Sequence, residues 1–65
     1  MKIIVNGEAH KTSKLKLAAL LDTLGKGNAK VATSVNETFV PKHQRADYTL
    51  KDGDRVEIVA PRQGG

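Results

Sequence analysis

The chain has 65 residues, with 11 Lys and Arg against 7 Asp and Glu for a net charge of +4, and 38% hydrophobic residues among which Phe39 and Tyr48 are the only aromatics. This is a single small domain with a thin aliphatic core, and the lack of cysteine excludes a disulfide-stapled fold, a thiolate zinc site and a cysteine nucleophile. No apolar run approaches about 18 residues and no signal segment opens the chain, so a cytoplasmic protein without a membrane partner is expected, too short to wall a deep substrate pocket.

Met1 to Val5 carries the β-branched run Ile3, Ile4, Val5 and reads as a strand. Asn6-Gly7 tolerates positive φ at both positions and is a strong hairpin signal; Glu8 to Thr12 is then the returning strand, polar enough for a sheet edge. The period next changes to that of a helix. Leu17, Leu20, Leu21 and Leu24 fall on one helical face, and Gly25 stands where a left-handed cap is wanted. Ser13 is the candidate N-cap, although Lys14 and Lys16 oppose the helix dipole there.

Val31 to Val35 reads as a buried strand, Asn36-Glu37 as a turn, and Thr38 to Val40 as a short strand ended by Pro41. Lys42 to Asp47 is polar and irregular. Asp52-Gly53-Asp54 forms a turn into the alternating strand Arg55 to Val59, with Val56 and Ile58 toward the core. This order predicts an α+β fold of the β-grasp, ubiquitin-like type: a mixed four- to five-stranded sheet packed on one helix, with the first and last strands central and parallel. Residues 1–60 form the domain and residues 61–65 a flexible tail.

The side chains carry little chemistry. His10 and His43 belong to no ligand-spaced cluster, Ser13 and Ser34 have no nucleophile-elbow context, and Asp52 and Asp54 are turn residues. No bound metal or cofactor is therefore expected, and the chain is not expected to be an enzyme. The lysines and arginines are scattered and lack interleaved stacking aromatics, which argues for a solubilising surface over a nucleic-acid interface.

The terminal Gly64-Gly65 pair is different. With glycine near 7% of residues, its chance occurrence is about 0.5%. Two residues without side chains can thread a narrow channel, the Gly65 carboxylate has no Cβ beside it, and Pro61 stiffens the exit from the last strand. A carboxylate becomes an acyl donor only once its oxygen is made a leaving group. ATP-dependent adenylation achieves this, after which a sulfur nucleophile can displace AMP.

MKIIVNG at residues 1–7, LAALLDTLG at 17–25, VATSVNE at 31–37, LKDGDRVEIV at 50–59 and QGG at 63–65 together resemble the ThiS family of thiamine-biosynthesis sulfur carriers. The likeness covers essentially the whole chain. Gly-Gly alone is shared with ubiquitin-like covalent modifiers and molybdopterin-type sulfur carriers, which stay as alternatives, and an RNA-binding module of similar fold is a third. The resemblance implies that Gly65 is adenylated by a partner E1-like activating enzyme using ATP and magnesium. Sulfur from a cysteine desulfurase relay then makes it a thiocarboxylate, and the tail, with Gln63 and Gly64 in the channel, enters thiazole synthase. Ile4, Val59, Ala60 and Pro61 are the expected docking patch at the root of the tail. Lys16 stands where the family has a small hydroxyl residue, Glu37 where it has a turn glycine, and the charge of +4 departs from the family's acidic character.

Overall fold

The structure, a computed structural model, describes residues 1–27 and 29–60. Strands β1 (Lys2–Val5) and β2 (Glu8–Lys11) are followed by helix α1 (Leu17–Thr23), strands β3 (Ala32–Val35) and β4 (Thr38–Val40), a 3₁₀ turn over Lys42–Gln44, and strand β5 (Arg55–Val59). The five strands form one sheet in the order β2-β1-β5-β3-β4. β1 and β5 are central and parallel, while β1–β2, β3–β4 and β3–β5 are antiparallel. The β-grasp arrangement expected from the pattern is thus present.

Local chemistry sets both hairpins. Asn6 (φ 49°) with Gly7 (φ 85°), and Asn36 (φ 51°) with Glu37 (φ 70°), place both central residues in the left-handed region, as two-residue loops between twisted strands require. Glutamate adopts that region at a cost that glycine avoids. At the end of α1, Gly25 (φ 77°) lets its own N–H reach Asp22 O (3.1 Å) and the Lys26 N–H reach Leu21 O (2.8 Å). These two bonds form a Schellman cap that satisfies carbonyls the helix leaves open.

The helix start differs from the expectation. Lys16, not Ser13, is the N-cap, and its side chain makes no capping bond. Backbone from elsewhere replaces it: the Leu17 N–H donates to Tyr48 O (3.0 Å) and the Ala18 N–H to Arg45 O (3.1 Å). The Leu50 N–H donates to Leu15 O (2.7 Å), so residues 48–50 lie alongside the helix entrance. Two of the amides that a helix leaves unsatisfied at its start are therefore bonded without a side-chain cap.

Leu17, Leu20 and Leu21 are buried against Ile3, Val5, Val35, Val40, Leu50 and Val56, with Met1, Leu24, Tyr48 and Ile58 packed around them. Each such side chain contributes about 1.5–3 kcal/mol when fully buried. Thr33, Arg45 and Asp54 are also buried, none of which the hydrophobic pattern marks. The segment after Pro41, read from the sequence as irregular, contains the 3₁₀ turn and carries Arg45 into the interior.

Candidate functional site

β5 runs to Val59 and is followed by Ala60, and side chains as well as neighbouring strands hold it in place. On one side it pairs with β3 along its length, from Val35↔Val56 to Ala32↔Val59. On the other side the β1 register stops at Val5↔Val56. The Asn6 side chain continues the ladder from there. Ile58 N donates to Asn6 Oδ1 (2.8 Å) and Asn6 Nδ2 donates to Ile58 O (3.2 Å), so a primary amide takes the place of a strand's peptide group. At the start of β5, Asp54 Oδ2 accepts from Lys51 N (2.8 Å) and Oδ1 accepts from Asn36 Nδ2 (2.9 Å), while Arg55 N donates to Asn36 Oδ1 (3.0 Å). Both turn asparagines, which the sequence marks only as hairpin residues, thus also clamp β5.

The sheet face opposite the helix carries Ile4 and Val59 of the four residues expected to dock a partner. The register puts Ile4 opposite Arg55 and Val59 opposite Ala32, all on this face. Val59 is 62% exposed, Ala60 is exposed and Ile4 is half-buried. Four residue steps along β5 separate the Ile4 position from Val59, about 13 Å of strand, and Glu57 lies between them. Ile4 instead borders a separate pocket with Gly7, Glu37, Arg55, Val56 and Glu57. The structure therefore places Ile4 and Val59 on one face but in separate patches. Phe39, 65% exposed and opposite Ser34 on the same face, is an apolar side chain absent from the expected patch. Pro61, Gln63, Gly64 and Gly65 lie outside the described residues.

Beside Val59 opens a groove of about 370 Å³ lined by Ala29, Lys30, Val31, Ala32, Lys42, Arg45 and Val59. Arg45 is the buried residue among these, and its guanidinium is fixed by hydrogen bonds. Nε donates to Thr33 Oγ1 (3.0 Å) and Nη2 to Val31 O (2.6 Å), and the Thr33 hydroxyl donates on to Val40 O (2.9 Å). The remaining polar residues considered from the sequence are dispersed. His10 lies on β2 opposite Ile3, His43 lies in the 3₁₀ turn, and Ser34 Oγ donates to Glu57 Oε1 (3.4 Å) on the outer face. Among the described residues, no group of three or more His, Cys, Asp or Glu could hold a metal ion, and no helix is long and apolar enough to cross a membrane.

Comparison with known proteins adds to this geometry. The crystal structure of the thiamine biosynthesis protein ThiS from Geobacter metallireducens superposes with a TM-score of 0.86 at 29% identity, covering all of both chains. A solution NMR structure of a thiamine biosynthesis protein from the same organism gives a TM-score of 0.78 at 29% identity, covering all of this chain and 88% of that one. A thiazole synthase of Paramagnetospirillum magneticum is 42% identical over 66 residues, a match that takes in all of this chain. The chain spans about a fifth of that relative's length, 20%. The ThiS family model matches residues 3–65, from the first strand through the terminal glycines, and the chain belongs to the ThiS family.

Proposed function

We propose that this protein is a sulfur carrier for the thiazole branch of thiamine biosynthesis, acting as a protein co-substrate whose reactive group is the Gly65 carboxylate. The observation that carries this reading is the family match running through Gln63-Gly64-Gly65. It is supported by a scaffold in which the last strand is central, clamped at both ends, and leads to exposed Val59 and Ala60. A strand held that way fixes the position of Val59, six positions before Gly65. An activating enzyme joins the Gly65 carboxylate to the AMP of ATP and releases pyrophosphate, with magnesium neutralising the phosphates. A persulfide fed by a cysteine desulfurase relay then displaces AMP to give an acyl disulfide. A thiol cleaves that disulfide and is itself left as a disulfide with the relay sulfur, and the net result is exchange of one carboxylate oxygen, which leaves with AMP, for sulfur.

Thiazole synthase is the proposed acceptor. A protein of that name contains a segment 42% identical to this whole chain, which supports physical association of the two functions. Intact-mass spectrometry after incubation with the activating enzyme, ATP, magnesium and a sulfur donor tests the reading. A gain of about 16 Da is expected, and deletion of Gly65 should abolish it. The same gain in the deletion variant would refute Gly65 as the site.

A further inference from the structure

We infer that the groove beside Val59 is an anchor site for a carboxylate side chain on the rim of the protein that takes up the tail, with an apolar neighbour of that carboxylate resting on Val31, Ala32 and Val59. The inference rests on the proposed function, because it takes thiazole synthase as that protein. Its starting point is Arg45. The residue is only 6% exposed, yet the one ion pair among the described residues is Arg55–Glu37. A buried arginine is ordinarily paired with an acid. Here the two protein acceptors, Thr33 Oγ1 and Val31 O, are neutral and take two of the five guanidinium N–H groups, leaving three.

The Nη1 pair of these donors is not sealed inside. No described residue accepts from Nη1, and no buried side-chain nitrogen or oxygen of the described residues lacks a partner, so Nη1 is not fully buried. Arg45 lines the groove beside Val59 and a smaller cavity of about 130 Å³ against α1, where Asp22 already supplies an acid. Among the described residues, the larger groove is lined by Lys30 and Lys42 and by no carboxylate. Its charge is uniformly positive and its floor is aliphatic. A planar fork already immobilised by two hydrogen bonds loses little further freedom on binding, and a carboxylate matches its geometry. The position names the occupant's source. Val59 lines the groove and stands six positions before Gly65, about 20 Å of chain at most, so a protein that takes up Gly65 comes within reach of it.

The test measures binding of the full chain to thiazole synthase by isothermal titration at about 50 and about 200 mM salt, ionic strengths at which charge contacts differ in screening. Lys30→Glu and Lys42→Glu alter exposed side chains and are compared with Lys14→Glu, an exposed lysine before α1 that does not line the groove. Each groove variant is expected to bind about tenfold more weakly with a flatter salt response, and Lys14→Glu to stay within about twofold. Replacing one acidic residue on the partner's rim with lysine should restore binding of Lys42→Glu. Groove variants that bind as tightly as the unmodified chain would overturn the inference and leave the sulfur-carrier reading standing. An equal loss in Lys14→Glu would overturn it as well, since long-range charge would then suffice. If the unmodified chain itself fails to bind, the choice of thiazole synthase as acceptor falls, and the anchor with it.

Discussion

Asn6 is the most informative single position to perturb. It combines a left-handed backbone (φ 49°) with two side-chain bonds to Ile58, at 2.8 and 3.2 Å. Asn6→Gly keeps the backbone freedom and removes both bonds. At about 0.5–1.5 kcal/mol each, and toward the lower end because the site is exposed, the loss should be about 1–2 kcal/mol. Asn6→Ala removes the same bonds and adds about 1 kcal/mol of left-handed strain, for about 2–3 kcal/mol in all. Against a total of about 3–10 kcal/mol for a domain of this size, both changes are large. Urea titration should show the midpoint of Asn6→Gly lowered by about 1 M and that of Asn6→Ala by more. Amide hydrogen exchange supplies the local readout, in which Ile58 should lose more protection than Val56, whose strand pairing is intact. An Asn6→Gly variant with an unchanged midpoint and a protected Ile58 amide would refute the idea that this side chain extends the β1–β5 ladder.

Three further outcomes are expected. Glu37→Gly should raise the melting temperature by about 2–6 °C, because relief of left-handed strain outweighs loss of the exposed 3.6 Å pair with Arg55; a fall would refute that ordering. Lys16→Asp should add about 0.5–1 kcal/mol in urea titration by capping the Ala19 N–H, since the Leu17 and Ala18 amides are already bonded to Tyr48 and Arg45. Leu20→Ala, at a position 1% exposed, should cost about 3–5 kcal/mol, seen as a loss of far-UV circular dichroism at moderate urea; a midpoint within error of the parent would contradict the assigned core.

Arg45 links stability to the groove. Its side chain fastens Thr33 on β3 and the Val31 carbonyl just before that strand, while its own carbonyl accepts from Ala18 at the start of α1. One residue after the 3₁₀ turn thus ties helix to sheet and also lines the cationic groove. The lysines on the groove's outer walls carry charge without that structural duty, so they are the residues on which binding can be altered while the fold is kept.

The parts of this molecule legible in the amino-acid order are those determined by neighbours along the chain. Asn6-Gly7 and Gly25 declare their turns because only a few residue types adopt positive φ at low cost. The leucine stripe and the alternation in Arg55 to Val59 declare helix and strand because burial on one face imposes the period. What required tertiary structure is what needs distant residues to meet. The helix begins at Leu17 because the carbonyls of Tyr48 and Arg45 arrive there, and no nearby residue signals it. Asn6 and Asn36 act as clamps only once β5 lies beside them, and Ile4 and Val59 fall into separate patches through the register of β1 on β5. Arg45 is buried because Thr33 and Val31, more than ten positions earlier, supply the acceptors that make burial of its charge tolerable.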